Sequence, residues 1–224
     1  MIDIVSATRL PEGDFWRSSA LGLSLQRLAE EGRFMAHLAF ANRRGLPEVY
    51  NSRISAADGG DMIVFVHDDV WIDDFFLADR VIEGLRRYDV IGVVGNRRRA
   101  ERQPNWAFLD TSATWDDKIH LSGSIAHGKE PFGPIDMFGP VPADCELLDG
   151  LFLAARTAAL KEREVFFDPR FDFHCYDLDF CRTARQRGLR LGTWPICLTH
   201  QSVGGFNSPP WTEKYRLYLE KWGS

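Results

Sequence analysis

The stretch Asp61-Met-Ile-Val-Phe-Val-His-Asp-Asp-Val70 decides the fold of this 224-residue chain. Its apolar run, residues 62–66, is rich in β-branched residues and bounded by polar ones, which is typical of a strand buried on both faces. His67, Asp68 and Asp69 follow the run directly. Because ligands of open α/β sheets bind beyond the carboxyl ends of such strands, we expect both carboxylates at the functional edge of the sheet.

Two neighbouring carboxylates repel each other unless a cation lies between them. Their hard oxygen ligands suit Mg²⁺ or Mn²⁺, so Asp68 and Asp69 are candidate residues of a divalent-metal site. The alternative is a pair of turn residues, because Asp is common where a strand ends. His67 is interpreted as a packed residue at the end of the sheet rather than as a ligand.

The rest of the chain alternates strand and helix patterns. Strands are predicted at residues 2–6, 34–41, 90–95, 147–156 and 189–200, and helices at 18–31, 47–58, 75–88, 176–187 and 211–222. This rhythm predicts an α/β fold with a mixed, mostly parallel sheet flanked by helices. We expect a single domain over residues 1–224, in which the segments 1–95 and 147–224 carry the regular pattern.

Residues 96–146 differ in character, being rich in Pro, Gly and charge with scattered aromatic residues. We interpret them as a variable insertion carrying short strands at 106–109 and 118–127. Such an insertion shapes a substrate pocket, or it forms an oligomer contact or a plain surface flap.

Composition excludes several classes of protein. The net charge of −5 argues against a general nucleic-acid binder, and no run reaches the roughly 18 apolar residues of a membrane-spanning helix. The N-terminus lacks the basic head and apolar stretch of a secretory signal. The four cysteines form no CxxC pair, so free thiols in a reducing cytoplasm are expected. The sequence leaves the oligomeric state open.

Further candidate residues follow other predicted elements. Asp149-Gly150 lies within a predicted strand, where Gly often marks the close approach of a ligand or another backbone. Asp177 and Asp179 open a helix, where Asp is also favoured as a cap, and His200 ends the last strand. We expect Asp68-Asp69, Asp177 and His200 to meet at one edge of the sheet.

The order of these motifs adds information that single motifs lack. The segments concerned are residues 45–51 (Gly-Leu-Pro-Glu-Val-Tyr-Asn), 64–70, 149–153 (Asp-Gly-Leu-Phe-Leu) and 171–180 (Phe-Asp-Phe-His-Cys-Tyr-Asp-Leu-Asp-Phe), followed by Gly188 and Thr199-His200. Together they resemble the GT-A-type glycosyltransferases of family 2, and most closely the small branch related to a streptomycin-biosynthesis glycosyltransferase-like protein. The match runs from Ile2 to Gly205 and is weakest over 96–146.

The resemblance implies an inverting glycosyltransferase that moves a sugar from a nucleotide-diphosphate donor to a saccharide or other hydroxyl acceptor, with Mn²⁺ or Mg²⁺. It also implies a nucleotide-binding half at 1–95 and an acceptor and catalytic half at 147–224. Asp69 and His200 would hold the metal and Asp177 would be the general base. The remaining roles implied are donor contacts by Thr8, Arg9, Asn42, Asn51 and Asp68, and acceptor-side positions at Asp149, Gly150, Tyr176 and Asp179.

Three positions differ from the family pattern. The first strand ends in Ala7-Thr8-Arg9 rather than Pro-Thr-Tyr-Asn, Tyr176 replaces the acid before the base, and the metal motif is contracted to Asp68-Asp69. These differences leave two alternatives: a non-catalytic nucleotide- or sugar-binding domain on the same fold, and a metal-dependent phosphoesterase or nucleotidyltransferase.

Overall fold

In the computed structural model, which describes residues 1–202 and 204–223, the chain forms two β-sheets. Val203 and Ser224, which fall within the predicted domain, lie outside the described residues. The strands are β1 (Ile2–Ala7), β2 (Phe34–Ala39), β3 (Met62–Val66), β4 (Val70–Ile72), β5 (Val90–Gly92), β6 (Val94–Asn96), β7 (Leu121–His127), β8 (Ile135–Gly139), β9 (Ala143–Asp144), β10 (Leu147–Leu148), β11 (Phe152–Arg156), β12 (Leu191–Thr193) and β13 (Leu198–His200).

The larger sheet has the strand order β2-β1-β3-β11-β5-β12-β9. β1 pairs in parallel with β2 and β3, β12 pairs in parallel with β5, and β11 runs antiparallel to both of its neighbours. The smaller sheet has the order β10-β6-β7-β13-β4, with β8 paired to β7. The predicted mixed sheet is therefore confirmed, but three of the six pairings in the larger sheet are parallel rather than most of them, and a second sheet accompanies it.

Helices flank the sheets. They are α1 (Glu12–Ser18), α2 (Ala20–Arg27), α3 (Leu46–Ile54), α4 (Leu77–Arg87), α5 (Thr157–Glu162), α6 (Tyr176–Gln186) and α7 (Pro209–Trp222), and a 3-10 turn at Ala29–Glu31 follows α2. Their ends follow local chemistry: the Ser19 side chain caps α2, and the Ser208 side chain caps α7. In α4 the buried residues Leu77, Val81 and Leu85 recur at a spacing of four, which gives the helix one apolar face.

Three predicted strands are each divided between the two sheets. The run 90–95 forms β5 in the larger sheet and β6 in the smaller one, and 189–200 divides into β12 and β13 in the same way. In the run 147–156, β10 and β11 are separated by a turn that contains Asp149 and Gly150. An apolar pattern does not reveal such a change of partner, because both halves of each run are buried.

Other boundaries also differ from the sequence prediction. The predicted helix at 18–31 is interrupted at Ser19, and α1 is a helix that the sequence analysis did not predict. In the insertion, 121–127 forms β7 and 135–139 forms an additional strand, whereas 106–109 contributes only an isolated bridge between Phe108 and Trp115. β7 pairs with β6 and β13, so the insertion is part of the smaller sheet.

One cluster of buried apolar residues includes members of all three predicted segments, for example Val64, Leu121 and Phe152. The division into donor and acceptor halves stays a prediction. Within the described part of the chain, none of the helices is both long enough and apolar enough to cross a bilayer.

Candidate metal and acid–base site

A cavity of about 540 Å³ opens where the chain passes from one sheet to the other. Two groups of its lining residues concern the predicted site, one at the ends of β3 and β13 and one around the start of α6. The first group is His67, Asp68, Asp69 and His200, and the second is Asp149, Gly150, Tyr176 and Asp177. The expected meeting of Asp68-Asp69, Asp177 and His200 at one edge therefore has its counterpart in the structure.

Strand pairing places His200 beside Asp69. β13 runs antiparallel to β4, with His200 opposite Val70, and the amide of Gln201 donates to the carbonyl of Asp69 at 3.0 Å. The ring atom Nε2 of His200 consequently lies 3.4 Å from Oδ2 of Asp69. On the other side, Nδ1 of His67 lies 4.0 Å from Oδ1 of the same carboxylate.

His67, Asp69 and His200 form a candidate metal site, with one ligand atom from each lying within 4.8 Å of the others. Oδ1 of Asp69 is buried and has no hydrogen-bond partner among the described residues. A buried carboxylate oxygen without a partner is costly unless it has a ligand, and mixed imidazole and carboxylate ligands suit ions such as Mn²⁺. The donor set thus fits a divalent ion.

The structure places the ring of His67 beside Asp69, which makes it a candidate ligand, a role that the sequence interpretation did not give it. Nε2 of His67 lies 2.7 Å from the hydroxyl of Tyr176, which donates its single proton to the carbonyl of Gly150 at 2.8 Å. The tyrosine oxygen must therefore accept a proton from Nε2. This leaves the lone pair of His67 on Nδ1, the atom that faces Asp69.

The protonation of the three groups follows from their mutual contacts. Burial alone would raise the pKa of Asp69, but the hydrogen bond and charge of His200, together with His67, hold that pKa at about 2. Burial lowers the pKa of His67, which favours the neutral, ligating form of that ring. The pKa of His200 is raised because the contact with Asp69 outweighs burial.

Asp68 is also half-buried, but it faces different partners. Burial raises its pKa, and the hydroxyl of Thr8 offsets part of that effect by hydrogen bonding to the carboxylate. Thr8 is 3% exposed and its oxygen also accepts from the amide of Leu10. Thr8 therefore positions Asp68 from behind, at the end of β1.

Asp177 lies in the first turn of α6, where it closes the opposite side of the cavity. Its Oδ2 accepts the amide proton of Gly150 at 3.1 Å. Burial, and then the nearby charge of Asp149, raise the pKa of Asp177 to about 7. A carboxyl with this pKa exchanges a proton readily near neutral pH.

Gly150 permits this arrangement because a larger residue would not fit. A Cβ added there would lie 2.4 Å from the hydroxyl of Tyr176 and 2.8 Å from Cβ of Asp177. The expected close approach at Gly150 is thus made by α6.

Asp149 is held on both oxygens. Oδ2 accepts from Nε1 of Trp106 at 2.6 Å, and Oδ1 accepts from the amide of Leu151 at 2.9 Å. Sequence reasoning did not single out Trp106, whose place in an irregular part of the insertion gives no pattern that would identify it.

Five predicted site residues do not line the cavity, namely Thr8, described above, and Arg9, Asn42, Asn51 and Asp179. Arg9 is exposed on the loop after β1, and the side chain of Asn42 is bonded to the backbone of Arg44. Asn51 exchanges two hydrogen bonds with the backbone of Phe167, at 2.7 and 2.9 Å, and so connects α3 to the segment before α6. Each amide is thus engaged within the protein.

Asp179 also lies away from the cavity. It is fully buried, and its Oδ1 accepts from Nε1 of Trp222 at 2.8 Å and from Nζ of Lys221 at 2.7 Å. Residues two apart on a helix point about 200° apart, so Asp177 and Asp179 cannot face the same side. Asp179 anchors α7 to α6.

No protein-family model and no curated protein matches the sequence. Solved structures do match. GalNAc-T7, solved with UDP, GalNAc and Mn²⁺, superimposes with a TM-score of 0.56 at 11% identity, over 98% of this chain and 48% of that one. The catalytic domain of Drosophila beta1,4-galactosyltransferase 7, solved with xylobiose, gives 0.52 at 11% identity, over 96% and 79%. S. aureus TarS gives 0.51 at 14% identity, over 98% and 39%.

The chain thus spans less than half of the GalNAc-T7 and TarS chains it matches. At 11–14% identity these likenesses concern the fold alone. They do not identify the branch of family 2 that the sequence resembles. The mixed sheet flanked by helices and the likeness to these structures show that the chain has a GT-A fold.

Proposed function

We propose that this protein is an inverting, divalent-metal-dependent glycosyltransferase that moves a sugar from a nucleotide-diphosphate donor to an acceptor hydroxyl. The observation that carries the proposal is that one cavity is lined by both a metal-ligand group, His67, Asp69 and His200, and a carboxyl whose pKa is raised to about 7, Asp177. Sugar transfer needs both functions.

The donor side is the end of β3. A nucleotide diphosphate is a poor leaving group until its negative charge is neutralised, and a divalent ion bound by His67, Asp69 and His200 supplies that neutralisation. Asp68, held by Thr8, is suited to accept a hydrogen bond from a ribose hydroxyl. A neighbouring structure of the same fold, GalNAc-T7, was solved with UDP and Mn²⁺, which supports this assignment.

The acceptor side is the start of α6. An alcohol is a weak nucleophile, and a carboxylate that removes its proton contributes about 10²–10⁴-fold to the rate. Asp177 is suited to this role because its carboxyl faces the cavity while Gly150 fixes one of its oxygens. Attack from the face opposite the leaving group inverts the anomeric centre.

The proposal is tested by incubating the full chain with UDP- and GDP-sugars, Mn²⁺ or Mg²⁺ and a mixed acceptor panel, and following release of the nucleoside diphosphate. We expect turnover that needs the metal and that increases as the pH rises through about 7, because Asp177 must lose its proton to act as a base. Asp177→Asn should lose nearly all turnover while it still binds the donor. Donor binding without any turnover would favour the non-catalytic alternative. Hydrolysis of phosphate esters without sugar transfer would favour the phosphoesterase.

A further inference from the structure

Six aromatic side chains form a continuous surface along one side of the cavity. This aromatic wall consists of Trp106, Phe108, Trp115, Phe138, Phe206 and Trp211, all of which line the cavity. Each ring touches the next, with centroids 4.5–5.7 Å apart, in the order Trp106, Phe138, Trp115, Phe108, Phe206 and Trp211. Four of the rings come from the insertion 96–146 and two from the segment around the start of α7.

The aromatic wall begins beside the proposed base. Nε1 of Trp106 donates to Asp149, whose neighbour Gly150 donates its amide proton to Asp177. From there the rings continue to Trp115, whose side chain is 53% exposed. A molecule lying along the wall would therefore place one end near Asp177 and the other near solvent.

The rings of the wall carry few polar groups: three of the six are phenyl rings, and the other three each offer one indole N–H. Two of the polar groups at the start of the wall are engaged by the protein. The indole N–H of Trp106 is bonded to Asp149, and Oδ1 of Asn105 accepts from the amides of Ala107 and Phe108. A sugar ring carries a hydroxyl on most of its carbons, and each buried hydroxyl needs a new hydrogen-bond partner to offset its lost water. The wall offers flat apolar faces, which suit a ring with few polar groups.

We propose that the aromatic wall binds the acceptor and selects a hydroxylated aromatic ring compound, such as a phenol, in preference to a saccharide. This inference rests on the proposed function and adds the class of acceptor to it. In the transfer, the acceptor oxygen forms a bond to the anomeric carbon as the bond from that carbon to the diphosphate oxygen breaks. The acceptor proton passes to the carboxylate of Asp177, and the bonding electrons leave with the nucleoside diphosphate.

The test measures binding of 4-methylumbelliferone, a fluorescent phenol, to the full chain in the presence of UDP and Mn²⁺, with methyl β-glucoside as the saccharide probe. We expect the phenol to bind more tightly than the glucoside. Removing one stacking partner in Trp115→Ala should raise the Kd of the phenol about tenfold. Trp115→Phe, which keeps a ring, should restore most of the affinity.

The matched control is Phe76→Ala, which removes an aromatic side chain that is 65% exposed and lies outside the cavity lining. It should leave phenol binding unchanged. Thermal stabilisation by UDP and by GDP, each with Mn²⁺, is recorded for every variant, because it reports on the donor side and on folding independently of the aromatic wall.

The outcomes separate the two proposals. If a nucleotide stabilises the protein but the glucoside binds as tightly as the phenol or more tightly, the acceptor assignment is overturned and the proposed function stands. The same holds if a nucleotide stabilises the protein but Trp115→Ala leaves phenol binding unchanged. Phenol binding that depends on Trp115, without any nucleotide stabilisation, would instead overturn the proposed function and retain the wall as a site for aromatic rings.

Discussion

The hydroxyl of Tyr176 lies 2.7 Å from Nε2 of His67 and fixes which nitrogen of that imidazole carries the proton. The hydroxyl reaches the ring from the first residue of α6 and is itself directed by the carbonyl of Gly150. One tyrosine thus connects the helix that bears Asp177 to the ligand group around Asp69. Groups that orient a ligating histidine from behind in this way commonly set its affinity for the metal.

Tyr176→Phe should weaken divalent-ion binding because His67 loses the acceptor that keeps its proton on Nε2. We expect the affinity for Mn²⁺ to fall about 10–100-fold, measured by isothermal titration calorimetry without nucleotide. Tyr218→Phe is the control, since it removes another buried hydroxyl, one that accepts from Arg182 on the far side of α6. Equal losses in both variants would indicate a general effect on folding instead of a tautomer effect.

Asp68 and Asp69 are neighbours in sequence but should differ in a metal titration. Asp69→Asn removes the carboxylate between His67 and His200, so binding of Mn²⁺ alone should be nearly abolished. The wild-type side chain of Asp68 is bonded to Thr8 and not to the histidines. Asp68→Asn should therefore largely keep Mn²⁺ binding, while the stabilisation by UDP with Mn²⁺ falls. If Mn²⁺ binds Asp69→Asn as it binds the wild type, the ligand group is incorrectly assigned.

Asp177 should lower the stability of the free protein at neutral and alkaline pH. Its pKa is about 7 in the folded state and about 3.9 when unfolded, so the folded state holds the proton more tightly. The cost of the charged form is absent below about pH 4, grows between pH 4 and 7, and is complete above pH 7. Three pKa units correspond to about 4 kcal/mol, of which water in the cavity screens a part.

Asp177→Asn should therefore be more stable than the wild type above pH 7, by about 1–3 kcal/mol in urea unfolding, while it loses transfer activity. The gain should shrink toward pH 4, where the wild-type carboxyl is protonated in both states. Asp61→Asn, which changes a carboxylate that is 86% exposed, serves as the control and should give no comparable trend. A gain that stays constant from pH 4 to pH 8 would contradict the raised pKa as its cause.

The parts of the site that could be predicted are those set by local pattern. Asp68-Asp69 follows a buried run, and Asp177 opens a helix, so both positions could be inferred within one element. The helical spacing of Asp177 and Asp179 was enough to place them on opposite faces, and applying it would have removed Asp179 from the acceptor side.

Long-range pairings could not be inferred in this way. His200 reaches Asp69 only because β13 pairs with β4, and the amide of Asn51 is bonded to Phe167, 116 residues away. The tautomer of His67 depends on Tyr176, 109 residues away. Such contacts depend on which segments become neighbours in the fold, and a single sequence records each segment's polarity without recording its partner.

Gly150→Ala should destabilise the protein and disturb both halves of the site. The added methyl would lie 2.4 Å from the hydroxyl of Tyr176 and 2.8 Å from Cβ of Asp177, so α6 would have to move. Overpacking of this kind costs about 1–3 kcal/mol. We expect a loss of that size in urea unfolding, together with weaker Mn²⁺ binding because the displaced Tyr176 no longer orients His67.

Gly13→Ala provides the matched control. Gly13 lies within α1, and a Cβ added there meets no described atom within 4 Å. Alanine favours a helix over glycine by about 1 kcal/mol, so this variant should be as stable as the wild type or more so, with unchanged Mn²⁺ affinity. Gly150→Ala could instead lose stability while it keeps the wild-type affinity for Mn²⁺. In that case the packing of α6 on the turn at Gly150 would have a structural role only, and the orientation of His67 by Tyr176 would not depend on the position of α6.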